Sequence, residues 1–235
     1  MPTLERKIRI PLIPNQKEEI SRLEEEFLYR FWSYVPNGIN KIAMDALTTS
    51  IELERACKIG LPVVSLDRVY VTDADKYLEV TRVTDKLTGK ITVGERPGTK
   101  SLIEQVTSLR DYKEIVLVDV GAFEGETILK VCGILEEKDI KVVEIFLGYS
   151  SIGANKRINN DRKMTALNLF EFYEWVELRD LFGIDGRRTA DGGLIPYWDN
   201  LIRWASISPE NDLSVKQLCK EYNQKLMNIL GGNLK

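Results

Sequence analysis

The sequence lacks histidine, has few cysteines and contains no long apolar run. With no His among its 235 residues, Ser-His-Asp and Cys-His nucleophiles and His-ligated zinc sites are excluded. A general acid or base must therefore be Asp, Glu, Lys, Tyr or Cys, unless the chemistry needs none. Cys57, Cys132 and Cys219 are far apart and form no CxxC pair, so neither a disulfide framework nor a zinc site is expected. We expect Cys57 and Cys132 to be buried, because both lie on apolar faces of predicted helices.

The charge and hydropathy of the chain exclude two classes of partner. The net charge of -3 provides no general attraction to nucleic acid or to an anionic membrane. No apolar run approaches the roughly 18–20 residues that a membrane span requires. The N-terminus, MPTLERKIRIPLIP, also lacks the apolar core and the cleavage site of a secretory signal. We therefore expect a cytoplasmic protein whose partner is a small molecule, with no nucleic acid and no membrane.

Hydrophobic periodicity predicts a single α/β domain over residues 1–235, with its core at about 40–190. An amphipathic helix is predicted at 15–34 and a helical cap at about 195–235. Between them, strands that alternate with helices predict a parallel sheet, and residues 77–95 predict a β-hairpin insertion. The predicted strands are KIAMDAL, LPVVSLDRVYV, EIVLVDV and KVVEIFLGYS, and the predicted helices between them are SIELERACKIG, SLIEQVTSL and TILKVCGILEEKD.

Two later segments carry weaker patterns. Residues 160–174 are predicted to be helical, and the glycine-rich stretch GIDGRRTADGGLIPYW is predicted to be a loop. The short segment WVELRD is predicted to be a strand or the approach to one.

The stretch EIVLVDVGAFEGETILK, residues 114–130, carries the strongest functional signal. It predicts an apolar strand, an acid at the strand tip, a glycine-containing loop and then a helix. Ligands of parallel sheets bind at the carboxyl ends of strands, and the N–H groups of a helix N-terminus favour an anion. An acid at the tip can bind ribose hydroxyls. The alternative is a tight structural turn in which Thr127 caps the helix.

The segment IVLVDVGAFEGET resembles the signature of the type I phosphoribosyltransferases: an apolar strand, acids, small residues and a Thr-containing phosphate loop. The order of elements over about residues 40–190 resembles the family's as well. In that family this order runs from a strand and pyrophosphate loop through a helix, a strand and a hairpin to the signature strand. The resemblance implies an α/β phosphoribosyltransferase fold and a glycosyltransferase reaction. Phosphoribose would pass from phosphoribosyl pyrophosphate (PRPP) to a nitrogenous base, with Mg²⁺ as cofactor.

The resemblance also implies roles for particular residues. Asp119 would hold the ribose hydroxyls and the metal, and Asp119 and Glu124 are the candidate catalytic residues. The candidate substrate-binding residues are Gly121, Ala122, Phe123, Gly125, Glu126 and Thr127 for the 5′-phosphate, and Thr48, Thr49, Ser50, Arg96, Arg187 and Arg188 for the pyrophosphate. Members of the family are often dimers, so a homodimer is one assembly that the resemblance implies.

The signature departs from the family pattern at three positions. Val120 stands where a second acid is usual, and Glu124 and Glu126 stand in a loop that usually carries hydroxyl or glycine residues. A carboxylate about 4 Å from a phosphate charge costs on the order of 4 kcal/mol at an effective dielectric constant near 20. That repulsion disappears if both side chains point to solvent, and it changes sign if Glu124 holds Mg²⁺.

Two alternatives follow from these departures. One is a non-catalytic protein on the same fold that senses a nucleotide or scaffolds a partner. The other is an S-adenosylmethionine-dependent methyltransferase, whose first glycine motif also resembles VDVGAFEGET. That fold places the motif on its first strand and needs several βα units after it, so a sheet that continues past residue 150 would favour it.

Overall fold

The structure is a computed structural model that describes residues 12–36, 42–43, 51–55, 58–68, 70–85, 87–88, 90–96, 98–170, 175–176, 186–196 and 207–231. The chain divides into two compact units. The smaller comprises Met1–Ala46, Tyr173–Gly186 and Leu194–Lys235, and the larger comprises Leu47–Phe172 and Arg187–Gly193. The single domain expected from the sequence stays a prediction. In the part of the chain that the structure describes, no helix is long and apolar enough to cross a membrane.

Strands and helices alternate along the described chain. The strands are β1 (Ile42–Ala43), β2 (Val63–Ser65), β3 (Lys76–Tyr77), β4 (Val80–Thr84), β5 (Ile91–Glu95), β6 (Glu114–Ala122), β7 (Lys141–Ser151), β8 (Met164–Phe170), β9 (Trp175–Val176), β10 (Gly186–Thr189) and β11 (Leu194–Pro196). The α-helices are α1 (Pro14–Trp32), α2 (Leu102–Thr107), α3 (Glu126–Glu136), α4 (Ile152–Asn159) and α5 (Asp212–Ile229), and a 3-10 turn covers Pro209–Asn211. Residues 51–55 are also helical.

The larger unit is organised by a five-stranded sheet in the order β3-β2-β6-β7-β8. Every neighbouring pair in this sheet is parallel. Strand β6 lies at its centre, and Ile115, Val116, Leu117 and Val118 are fully buried there. A continuous apolar run of this kind is typical of a parallel strand covered on both faces. The predicted fold class, a parallel α/β sheet with flanking helices and a hairpin insertion, is confirmed.

Helices α2, α3 and α4 contribute to one hydrophobic core together with the sheet. From the helices, the core includes Val106 and Leu109 near α2, Ile128, Val131, Cys132 and Leu135 of α3, and Ala154 and Ile158 of α4. Helix α3 connects β6 to β7, and α4 connects β7 to β8, so both are crossover helices between parallel strands.

The predicted hairpin is present as the antiparallel pair β4 and β5, with Val80 opposite Glu95 and Thr84 opposite Ile91. At its turn, one carboxylate oxygen of Asp85 accepts hydrogen bonds from the N–H groups of Thr88 (3.0 Å) and Leu87 (2.8 Å). These bonds favour the ionised form and lower the pKa of Asp85.

Two sequence-based predictions about secondary structure are wrong. Residues 160–174 were expected to form a helix, but α4 ends at Asn159 and β8 follows as the edge strand of the sheet. The Met, Ala and Leu residues of β8 favour a helix locally, and pairing with β7 overrides that preference. The segment expected to be a loop contains β10 and β11, and β10 pairs in parallel with β4.

The smaller unit is built on α1 and α5, which confirms the helices predicted near both ends. Phe27 stacks on Phe31 with ring centroids 5.7 Å apart and meets Tyr222 of α5 edge-on at 5.3 Å. Around this aromatic core, Arg30 Nη1 lies 3.0 Å from Glu221 Oε1. The Arg30 hydrogen bond lowers the pKa of Glu221, because it favours the carboxylate.

Cys132 and Cys219 are fully buried in the two units. Burial disfavours the thiolate, which raises the pKa of Cys132 to about 11 and that of Cys219 to about 12. The predicted burial of Cys132 is therefore confirmed, whereas Cys57 lies outside the described residues.

We expect these two thiols to be unreactive in the folded protein. A thiol with a pKa near 11 is only about 0.1% thiolate at pH 8, and the thiolate is the nucleophile. In a Cys57→Ser variant, native Cys132 and Cys219 should react with Ellman's reagent at least about a hundred times more slowly than in guanidinium chloride. Rapid titration of either thiol under native conditions would contradict the burial described above.

Candidate functional site

The strand order of the central sheet marks one place as the expected ligand site. Counted in chain order within that sheet, the strands run 2-1-3-4-5, so the direction of winding reverses between β2 and β6. Ligands of open α/β sheets bind outside the carboxyl ends of the strands at such a switch point. Here Ser65 at the end of β2 pairs with Val118, just before the carboxyl end of β6.

Strand β6 carries one acid, Asp119, where the signature that it resembles has two. The strand continues to Ala122, so this acid lies within β6 and pairs with Leu147, and it does not lie at the strand tip as the sequence predicted. Asp119 is half-buried, and its Oδ1 accepts a hydrogen bond from the Val120 N–H at 2.8 Å. Val120 is only 4% exposed. The position of the second acid is therefore occupied by a buried apolar side chain that supplies no ligand.

Helix α4 holds the loop that follows β6. Ser151, its N-cap residue, donates its hydroxyl to the Phe123 carbonyl oxygen at 2.5 Å and accepts from the Ala154 N–H at 2.9 Å. Farther along α4, Arg157 Nη1 donates to the Glu124 carbonyl oxygen at 3.3 Å. Two successive carbonyl groups of the loop thus accept hydrogen bonds from residues of the same helix and its N-cap.

These two bonds determine which way the loop N–H groups point. None of the described peptide bonds is cis, and a trans peptide carries its C=O and its N–H on opposite sides. With the Phe123 and Glu124 carbonyls hydrogen-bonded to residues of α4 and its N-cap, the N–H groups of Glu124 and Gly125 point away from that helix.

Helix α3 begins directly after these N–H groups, with Gly125 as N-cap and no side-chain cap. The first N–H groups of a helix lack intrahelical acceptors and carry a partial positive charge. The arrangement therefore favours an anion, and Thr127 does not act as the helix cap.

Gly125 allows this geometry for two reasons. Its φ of +74° lies in the left-handed region, which residues other than glycine rarely adopt. A Cβ atom there would also lie 3.1 Å from both Cδ1 and Cγ1 of Ile158 and 3.7 Å from Cβ of Ala154. The loop therefore packs against α4 only because this residue has no side chain.

The two loop glutamates differ in their surroundings. Glu124 is exposed, whereas Glu126 Oε1 lies 3.8 Å from Arg157 Nη1. Neither Arg157 nor Ser151 is among the residues predicted for this site, because no helix is predicted from the sequence at the position of α4. A serine directly after the apolar strand KVVEIFLGYS is an N-cap signal that could have indicated the helix.

Arg96 alone among the candidate pyrophosphate residues has a described side chain. Thr48, Thr49 and Ser50 lie outside the described residues, and the structure describes the backbone of Arg187 and Arg188 in β10 but not their side chains. Arg96 Nε donates to the Val80 carbonyl oxygen at 3.0 Å and lies 3.6 Å from Glu79 Oε2. Arg96 therefore stabilises the base of the hairpin. Its contact with a diphosphate stays a prediction.

A second carboxylate, Asp67, follows the end of β2 and is not among the residues predicted for the site. Asp67 is 2% exposed, and its Oδ1 accepts from the Tyr70 N–H at 2.7 Å. The Ser65 hydroxyl donates to the Asp67 carbonyl oxygen at 2.7 Å, so this turn is internally bonded. Among the residues that the structure describes, no group of three Asp, Glu or Cys side chains could hold a metal ion.

No model of a known protein family matches the sequence, and no curated protein matches it. Several solved structures are similar to this one. An adenine phosphoribosyltransferase from Thermoanaerobacter pseudethanolicus is 14% identical over 52% of this chain and 79% of its own, with a TM-score of 0.38. The orotate phosphoribosyltransferase of Mycobacterium tuberculosis in complex with PRPP is 12% identical over 63% and 90%, with a TM-score of 0.32. A hypothetical protein from Neisseria gonorrhoeae with bound ppGpp is 14% identical over 60% and 90%, with a TM-score of 0.42. These similarities are too weak to assign a ligand or an activity to this chain.

Replacement of Gly125 by Ala should destabilise the protein. The left-handed φ and the 3.1 Å approach of Ile158 predict a loss of about 1–3 kcal/mol in the free energy of unfolding, measured by urea denaturation. Gly133→Ala is the matched control in the same helix, because a Cβ there meets nothing within 4 Å. That variant should be neutral or more stable by about 0.5–1 kcal/mol. Equal effects of the two substitutions would contradict the loop geometry.

Removal of the Ser151 hydroxyl should weaken the support of the loop. Ser151→Ala deletes the N-cap of α4 and leaves the Phe123 carbonyl without this donor, so a loss of about 1–2 kcal/mol in unfolding free energy is expected. Thr107→Ala is the control, since it removes an exposed hydroxyl that bonds only within its own helix at 2.7 Å. A loss at Thr107 as large as that at Ser151 would argue against the capping role.

Proposed function

We propose that this protein binds the 5′-phosphate of PRPP, or of a related nucleotide, on the loop between β6 and α3. The transferase reaction that we propose moves phosphoribose from PRPP to a nitrogenous base. The observation that supports it is the outward orientation of the Glu124 and Gly125 N–H groups at an uncapped helix N-terminus. The carboxylate of Asp119 precedes this loop, on the strand β6 that leads into it.

In this proposal each candidate residue has a separate task. Asp119 holds the ribose hydroxyls, and the backbone of Gly121, Ala122 and Phe123 leads into the loop. The N–H groups of Glu124–Thr127 hold the 5′-phosphate, and Glu124 acts with Asp119 at the reacting end of the ligand. The 48–50 segment, with Arg96, Arg187 and Arg188, would bind the diphosphate.

The proposed chemistry fits a chain without histidine. The bond between the anomeric carbon of ribose and the diphosphate oxygen breaks, and the diphosphate leaves with the electron pair. A ring nitrogen of the base then forms the new bond to that carbon, through an oxocarbenium-like state, and its N–H proton passes to the departing diphosphate or to solvent. Catalysis of this kind relies on positioning and on electrostatic stabilisation and needs no covalent nucleophile.

The described residues fit Mg²⁺ only as an ion that arrives with the substrate. Mg²⁺ usually binds through one or two carboxylates together with substrate phosphates. Asp119 supplies one carboxylate from within β6, and its Oδ1 already accepts from the Val120 N–H. When bound, the ion would neutralise charge on the leaving diphosphate, and Asp119 would orient the ribose hydroxyls beside it.

A binding protein without turnover is the second candidate. The buried Val120 removes the second acid, which would weaken the hold on ribose and metal while leaving the phosphate loop unchanged. Such a protein would bind the same ligand and release no diphosphate.

The methyltransferase alternative is not favoured. The sheet does continue past residue 150, through β8, which is a feature expected of that fold. The motif strand β6, however, is the third strand of the sheet in chain order and not the first. Only two crossover helices, α3 and α4, join the described sheet strands that follow it.

Calorimetric titration with PRPP, with and without Mg²⁺, tests the proposal directly. We expect Mg²⁺-dependent binding, which Asp119→Asn weakens roughly tenfold or more because a charged hydrogen-bond acceptor for the ribose is lost. Asp111→Asn is the matched control, because its side chain is 90% exposed and precedes β6 at the opposite end of the strand.

The outcome of the titration separates the candidates. If no binding of PRPP is detected at millimolar concentration, the transferase function is excluded. If S-adenosylmethionine, titrated in parallel, binds tightly, the methyltransferase becomes the favoured function. If PRPP binds, diphosphate release with a panel of bases distinguishes the enzyme from the binding protein.

A further inference from the structure

Arg157 contacts the proposed phosphate loop at two points. Its Nη1 lies 3.3 Å from the Glu124 carbonyl oxygen and 3.8 Å from Glu126 Oε1. Its side chain is 52% exposed, and that of Glu126 is 41% exposed. Arg157 is therefore a solvent-accessible cation beside the loop.

The charge of Glu126 is the difficulty that this loop presents to a phosphate. Glu126 is the first residue of α3, so its carboxylate belongs to the same turn as the N–H groups proposed to bind the anion. A negative charge in this turn opposes the binding of an anion there. A guanidinium within ion-pair distance of that carboxylate counteracts this repulsion.

The same guanidinium also acts on the backbone. Through its bond to the Glu124 carbonyl, it helps to turn the Gly125 N–H away from α4, on the side where an anion would lie. One side chain thus compensates the acidic residue and orients a donor, and both effects act on the same phosphate.

We infer that Arg157 is the positioning residue that allows this acidic loop to accept a phosphate monoester. The inference rests on the proposed function, since it specifies how the same loop accommodates its ligand. Arg157 acts by neutralising Glu126 and by holding the Glu124 carbonyl. An ion pair this exposed contributes little to folding, so its effect belongs to ligand affinity and not to stability.

The test is a double-variant cycle titrated with ribose 5-phosphate, which carries the phosphate without the diphosphate, and with PRPP. Arg157→Gln should weaken ribose 5-phosphate binding roughly tenfold, and Glu126→Gln should strengthen it roughly threefold. The double variant should return to within about threefold of the unmodified protein, because the uncompensated charge has also been removed. Arg157→Lys, which keeps the charge, should recover part of the affinity.

Lys156→Gln is the matched control, because it removes the same charge from the neighbouring exposed position of α4. It should change the affinity less than about twofold, since exposed charges at a distance are screened by salt. All variants should keep melting temperatures within about 2 °C of the unmodified protein. If Arg157→Gln fails to fold, the gain expected for Glu126→Gln still tests the charge balance.

Three results would overturn the inference. Arg157→Gln could behave like Lys156→Gln, the double variant could bind as weakly as Arg157→Gln, or Glu126→Gln could leave the affinity unchanged. If the unmodified protein binds PRPP and all variants match it, the inference alone fails. If the unmodified protein binds neither PRPP nor ribose 5-phosphate, the proposed function fails, and the inference fails with it.

Discussion

The packing of the β6–α3 loop against helix α4 is the constraint on which the candidate site depends. Ser151 and Arg157 bind two successive loop carbonyls, and Gly125 lies so close to Ile158 that a Cβ atom would be 3.1 Å from its side chain. Because peptide units are planar, anchoring the carbonyls on one side turns the following N–H groups to the other. The contacts that orient these N–H groups are therefore made on the opposite side of the loop, toward α4.

The central sheet supplies the rigid frame for this arrangement. Strand β6 is buried between β2 and β7, and its pairing with β7 extends to Ala122 opposite Ser150. Ser151, the next residue of β7, is also the N-cap of α4. The strand that flanks the candidate site thus positions the helix that holds the loop. An error in the register of β7 against β6 would displace Ser151 from Phe123, so sheet pairing and loop geometry are coupled.

The predictions succeeded where local pattern and tertiary environment agree. The apolar run of β6, the hairpin turn at Asp85 and the amphipathic α1 each carry a signal that their packing reinforces. The helix predicted at residues 160–174 is wrong, because α4 lies before it, at Ile152–Asn159, and β8 follows at Met164–Phe170. The segment MTALNLF has good helix formers, and only its pairing with β7 as the edge of the sheet makes it a strand. Missing α4 also meant missing Ser151 and Arg157.

By itself, the sequence determined the class of the fold, the central strand, the position of the candidate loop and the absence of histidine chemistry. These follow from periodicity, composition and residue type, which are local properties of the chain. The tertiary structure decided which way the loop N–H groups face, that Val120 is buried and that Arg157 lies beside Glu126. Such features depend on contacts between residues about 30 positions apart, and no local pattern encodes the distance between them.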